Sequence, residues 1–337
     1  MRFLLSCLLF CSYVYAQDIA PSMMIQASGN VQSIVIQKQY FVKAKGVVGS
    51  LHVETTEGDA IVASTNAGTI EIYKLSDASL IKKIQFDPIK DFTGEEVAPK
   101  IFSVDALDAT LNYLAVVQAS NGARRLVLVE KDSKKELISE KENLFISKAK
   151  FIDNNHVLVA LMSNELIVLD TKTGQRRYQV QINPSHFSDF ALNESKSLVA
   201  SSCESGEVSI IDVNTGKILF VLSNGNVDNV YKVDFKQQKV LTAGQDRRGI
   251  VYDTKTKAYD RYDAGFLIYA GALSPSANLG AFAFNEDNDI VIFDLPTKTK
   301  RYTLKGQKST LNTILFASEK ELVSGSDDKF IMIWRLP

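Results

Sequence analysis

The chain has 337 residues, 45% of them apolar and 23% charged, with only 18 glycines and 7 prolines. Such a composition is that of a globular protein and excludes collagen-like and low-complexity chains. Lys plus Arg number 38 against 39 Asp plus Glu, a formal net charge of −1, so the basic excess of a nucleic-acid binder is missing.

Residues 1–16 are expected to be a cleaved targeting segment. Arg2 is the only charge, residues 3–10 form a short apolar core, and Val14 and Ala16 place small residues at the −3 and −1 positions of a cleavage site. The core is too short to span a bilayer, and no later apolar run approaches the roughly 18 residues that would. No membrane insertion is therefore expected, and export implies a periplasmic location. Cys7 and Cys11 leave with this segment, so Cys203 is the only cysteine of the mature chain and no internal disulfide can form. Residues 17–30 read as a leader.

From residue 31 onward the chain repeats. Residues 31–41 are an apolar stretch with no unit of their own. Apolar runs then recur at residues 69–74, 125–130, 165–170, 207–212, 248–253, 289–294 and 330–335. Their last residues are 74, 130, 170, 212, 253, 294 and 335, at successive intervals of 56, 40, 42, 41, 41 and 41. Each run follows an apolar stretch ending in small residues, such as Lys239-Val-Leu-Thr-Ala-Gly244, and a polar turn. A second turn and a fourth stretch complete the unit. Four short strands in about 41 residues are one propeller blade. Length alone suggests two domains, but the period predicts one: an all-β, seven-bladed β-propeller over residues 31–337. The last unit ends after its third strand, so residues 31–41 are expected to supply its outer strand and close the ring.

The units resemble WD repeats. The closest copy is the last, with Leu304-Lys-Gly-Gln307, then Leu322-Val-Ser-Gly-Ser-Asp327 and Ile331-Met-Ile-Trp-Arg335. Gly306-Gln307 stands where the repeat has Gly-His, a departure that bears on the family's internal Asp–His–Ser–Trp hydrogen-bond network. The Trp-Asp pair is split among units, with Trp334-Arg335 in one and Tyr252-Asp253 or Phe293-Asp294 in others. The targeting segment, the degenerate repeats and the ending from Ser324 to Pro337 are also similar to the periplasmic WD-repeat accessory proteins encoded with periplasmic nitrate reductases, the NapL family. That resemblance implies a helper role toward reductase subunits or maturation factors, without permanent hold on the metal cofactor.

The first interval is 15 residues longer than the 41-residue pitch, and the excess maps to residues 87–99. Pro88, Pro99 and Gly94 predict no regular strand there. In WD-repeat propellers such a connection emerges on one face, beside the turns between second and third strands. The expected partner surface is Asp91, Phe92, Glu95 and Glu96 of this loop, with Arg124, Arg125, Arg247 and Arg248 on the same face. The pairs Arg177-Tyr178, Arg261-Tyr262 and Arg301-Tyr302 read as packing in outer strands. Residues 131–142 alternate in charge and read as a solvated outer hairpin.

Catalytic and metal constellations are not legible. His52, His156 and His186 fall in different units without ligand spacing. Glu286–Asp289 and Asp327–Asp328 are acidic turns. No Gly-rich phosphate loop and no Cys-x-x-Cys-His are present. The inner strands carry no visible convergence of acids or arginines. No cofactor and no catalytic residue are expected. The expected function is that of a monomeric, exported, non-enzymatic interaction scaffold; the alternative is a propeller enzyme or a small-ligand or metal binder using the central channel.

Overall fold

The structure is a computed structural model and describes residues 34–37, 40–54, 59–107, 112–131 and 133–337. The expected targeting segment (1–16) and leader (17–30) lie outside the described residues. Seven sheets form blades 1 to 7, over residues 48–85, 101–138, 146–181, 187–222, 230–263, 271–305 and 311–335. The inner strands touch in turn around the axis, and blade 7 (Leu311–Phe316) meets blade 1 (Val48–Glu54) to complete the ring. This is the seven-bladed propeller the period predicts.

The seven apolar runs are the seven third strands, and each ends at the residue the spacing gives, from Thr69–Lys74 to Phe330–Arg335. A third strand is covered on both faces by neighbouring blades. It therefore reads as a continuous apolar run, not as alternation. Outer strands alternate instead: in Arg176–Gln181 only Tyr178 and Val180 turn inward. Buried side chains form seven clusters, one between each pair of neighbouring blades. The core is thus a ring of seven wedges, and burial of apolar area holds each wedge shut.

Ring closure differs in detail from the expectation of one strand over residues 31–41. Two strands form. Ile34–Gln37 lies parallel to Thr299–Lys305 as a fifth strand of blade 6. Tyr40–Lys43 then pairs antiparallel with Phe330–Arg335 and completes blade 7. The apolar residues explain the split. Ile36 is buried in the wedge between blades 6 and 7, and Ile34 and Phe41 pack against the same wedge. The segment therefore bridges two blades before entering the third.

The network implied by the WD-repeat resemblance has a counterpart in blade 7, with Gln307 in place of the imidazole. Trp334 Nε1 donates to Ser324 Oγ at 2.9 Å, and that hydroxyl donates to Gln307 Oε1 at 2.8 Å. Gln307 Nε2 donates to Ser326 Oγ at 2.6 Å, to Asp328 Oδ1 at 3.2 Å and to the Phe330 carbonyl at 3.1 Å. One amide carries both the acceptor and the donors this site needs. Blade 5 repeats the arrangement with Asn226, which accepts from Thr242 Oγ1 at 2.6 Å and donates to Asp246 Oδ1 at 3.0 Å.

Residues 87–99 do contain strands, contrary to the sequence expectation. Ile89–Lys90 pairs with Glu96–Val97 in a short ribbon. The pairing fits between Pro88 and Pro99, and the reversal uses Gly94 at a φ of +88°. The outer strand Ser133–Ile138 is solvated over most of its length and leads into a 3₁₀ turn, Glu140–Glu142.

Candidate functional site

Connections from an outer strand to the next inner strand, and turns between second and third strands, emerge at one end of the ring, here the loop face. The ribbon at 87–99 stands on it. Asp91 shapes the tip: its Oδ1 accepts from Thr93 N (2.8 Å), Thr93 Oγ1 (2.6 Å) and Glu95 N (3.1 Å). These bonds hold the Asp91 carboxyl below its ordinary pKa. Phe92 sits beside it at the tip, 96% exposed, with Glu95 and Glu96 also exposed.

The sequence-derived arginines are largely committed within the fold. Arg124 stacks on the Phe102 ring at 3.6 Å and donates to the Ile146 carbonyl at 2.8 Å, and burial lowers its pKa. Arg125 pairs with Glu136 at 2.9 Å, and both line a cleft of about 240 Å³ against Ile89 at the ribbon's base. Arg248 lies three blades away, bonded to the Gly225 carbonyl at 3.2 Å and 3.7 Å from Asp246. Arg247 is exposed in the adjoining turn. The structure thus joins Arg125 to the ribbon and leaves Arg247 and Arg248 apart from it.

The central channel holds what the sequence did not reveal. The inner strands of blades 1 to 5 bring His52, Asp105, Lys148, Lys150, Asp189, Lys232 and Asp234 to one cavity of about 740 Å³. The expectation that inner strands lack convergent acids is therefore corrected. Lys150 Nζ and His52 Nδ1 each lie 2.9 Å from Asp105 Oδ1, and Phe151 N donates to Asp105 Oδ2 at 2.9 Å. Lys148 Nζ donates to Asp189 Oδ1 and to the Phe190 carbonyl, both at 2.7 Å, while Val233 N donates to Asp189 Oδ2 at 3.1 Å. Asp234 accepts from Phe235 N at 2.8 Å and Leu273 N at 2.8 Å. Each aspartate accepts a backbone N–H from the next blade's inner strand and so staples two blades together.

Electrostatics follow the pairing. Burial alone would raise the Asp105 pKa, but Lys150 and His52 override it and hold the carboxyl well below the ordinary range. Asp189 is lowered in the same way: burial opposes, Lys148 and Lys232 win. Burial also pushes Lys148 down, with Asp189 offsetting part of the effect. For Lys150 burial again opposes, but Asp105 prevails and raises the pKa.

No protein-family model matches the chain, and no curated protein does. The site is therefore judged on its geometry. A general acid or base needs a pKa near the working pH. Asp105 and Asp189 are shifted away from it, and their oxygens are held by fixed donors. What the belt offers is fixed charge and donor hydrogens around a cavity.

Elsewhere the acidic turns serve structure. Asp289 pairs with Lys305 at 2.9 Å, Asp327 accepts from Asn312 at 2.8 Å, and Asp328 belongs to the Gln307 network. His156 pairs with Asp153 at 3.0 Å on the opposite face. Among the described residues no three His, Cys, Asp or Glu side chains group as metal donors. Cys203 is buried and free. The Arg-Tyr pairs lie in outer strands as expected, with Tyr178 bonded to the Val213 carbonyl at 2.8 Å and Tyr262 and Tyr302 buried.

Proposed function

We propose that the protein is a monomeric, exported, non-enzymatic scaffold that docks a protein partner on its loop face. The observation that carries this reading is the display of Phe92. A large apolar side chain, 96% exposed, stands at the tip of a ribbon whose turn is fixed by three hydrogen bonds to one carboxylate. Such a side chain is held ready at little further entropic cost to binding. The distribution of other exposed apolar residues supports the same face. Phe145, Met162 and Val227 also lie in its loops, while the remaining large ones, Leu80, Ile81, Ile218, Leu219, Val221 and Tyr259, are in outer strands. Among the described residues none lies in the turns of the opposite face. The acidic rim of Asp91, Glu95 and Glu96 suits a partner whose apolar pocket is flanked by basic residues.

For the partner's identity, the resemblance in the last repeat and the chain's ending to NapL-type accessory proteins supports a periplasmic nitrate reductase subunit or one of its maturation factors. Titration of the purified chain against such a subunit tests this. Phe92→Ala is expected to weaken binding at least about tenfold, the scale of an interface anchor, with Tm unchanged. Equal affinity of the variant and the parent rejects the Phe92 surface, and no binding to any reductase component rejects that partner class.

A further inference from the structure

The channel's lysines are unevenly paired. Lys148, Lys150 and Lys232 carry three ammonium hydrogens apiece. Of these nine, the described residues accept three, two from Lys148 and one from Lys150. Lys232 lines the cavity without a hydrogen bond or ion pair among the described residues. Each of the six oxygens of Asp105, Asp189 and Asp234 already accepts at least one donor. Each carboxylate oxygen could take a second donor, but Lys232 makes no hydrogen bond to any of them, and an acceptor seated beside it in the cavity would meet its hydrogens. Lys232 feels the Asp189 charge, but a partly buried ammonium without a hydrogen-bond acceptor still carries a desolvation cost that an anion relieves.

The walls narrow the choice further. Blades 2 to 5 supply the charged arc. Blades 6, 7 and 1 supply Leu273, Ile314, Leu315, Phe316, Leu51 and Val53, with His52 the one titratable side chain on that arc. His52 apart, the lining carries six cations, Arg124, Lys148, Lys150, Lys196, Lys232 and Lys236, against five carboxylates, Asp105, Asp153, Asp189, Glu194 and Asp234, so a single negative charge seated at Lys232 is balanced. A dianion there would stand against Asp189 and Asp234 without compensation. The volume, about 740 Å³, is in the range of small-molecule sites.

We propose that the channel binds a small organic acid, its single carboxylate on Lys232 beside Lys148 and its uncharged body against the inner strands of blades 6, 7 and 1. The site is inside the ring and does not depend on the loop-face partner, so Phe92→Ala leaves it intact.

Thermal melting at matched ionic strength tests the proposal, with sodium butyrate, hexanoate and benzoate as probes and sodium chloride and sodium phosphate as references. A binding acid at ten times its Kd is expected to raise Tm by about 2–3 °C, and neither reference is expected to do so. Lys232→Met should abolish the rise; Lys232→Arg, which keeps the charge and donors, should retain it. Should Lys232→Met fold poorly, titration calorimetry of the parent and Lys232→Arg still decides by its heat of binding. No rise or heat with any of the acids up to ~50 mM, a rise that survives in Lys232→Met, or an equal rise with phosphate overturns the proposal.

Discussion

The ring is held shut by different means on its two sides. From blade 1 to blade 6, every junction is crossed near the axis by a charged side chain. His52 reaches Asp105, Asp105 reaches Lys150 and Phe151 N, Lys148 reaches Asp189, Asp189 reaches Val233 N, and Asp234 reaches Leu273 N. Between blades 6 and 7, and between 7 and 1, the described inner strands carry no such charge; at the last junction a neutral Asn312 donates to the Val48 carbonyl at 3.1 Å. At those junctions the N-terminal segment takes over. It pairs with blade 6 through Ile34–Gln37, with blade 7 through Tyr40–Lys43, and continues into blade 1. A continuous chain can be fastened at its axis by side chains, whereas the seam where its ends meet is fastened at its rim by strands. The edge that a missing outer strand would leave open is covered in the same step.

The largest effect is expected from breaking the axial staples. Asp105→Ala leaves Lys150 and the Phe151 N–H without their acceptor, and one-sided removal from a buried pair costs about 3–5 kcal/mol. Urea unfolding measures it; a loss under about 1 kcal/mol would mean that solvent in the channel replaces the carboxylate. The same staples set an acid limit. Asp105 and Asp189 have folded pKa values below the ordinary range. Their contribution is therefore complete above the unfolded value, about 4, and is lost as pH falls below it toward the folded values. Stability is expected to drop below about pH 4, more steeply in the parent than in Asp105→Asn.

The seam should respond more weakly and more locally. Ile36 is buried in the wedge between blades 6 and 7, so Ile36→Ala is expected to cost about 2–3 kcal/mol, the low end for such truncations because an edge strand can relax. Hydrogen exchange separates the two sides. Ile36→Ala should speed exchange in Thr299–Lys305, its pairing strand, and leave the inner strand of blade 3 protected. Asp105→Ala should do the reverse. If both variants loosen the whole ring equally, the two sides are one cooperative unit and the distinction fails.

Sequence legibility divides along the same lines as burial. The last residues of the third strands were readable from the sequence because both faces are covered and the whole run is apolar. Inner strands such as Tyr231-Lys-Val-Asp-Phe-Lys236 mix charge with apolar residues and look like outer strands. Their chemistry exists only between blades: Lys148 and Asp189 are 41 residues apart, Lys150 and Asp105 45. A search for opposite charges at the 41-residue pitch would have found the first pair but not the second. The closing strands were legible as an apolar stretch but not as two strands, because nothing in residues 31–41 marks the step from one blade to the next. Phe92 was legible through an anomaly of spacing. The internal role of Arg124 was not, because stacking on Phe102 depends on the bulged start of the inner strand, where the pairing register shifts.

The smallest effect is expected where the seam uses its own polar network. Gln307 is buried and meets its neighbours with one acceptor and one donor group, accepting from Ser324 and donating to Ser326 and Asp328. A neutral imidazole offers the same pair, one ring nitrogen accepting and the other donating. Gln307→His is therefore expected to change stability by no more than about 1 kcal/mol, while Gln307→Leu, which keeps the bulk and removes both functions, leaves Ser324, Ser326 and Asp328 short of partners and should cost about 2–3 kcal/mol. The contrast between the two variants is the informative quantity. If His is as harmful as Leu, the pocket around Trp334 is shaped for the amide alone. If both are harmless, the network contributes nothing at the seam, and the N-terminal strands alone hold blade 7 in place.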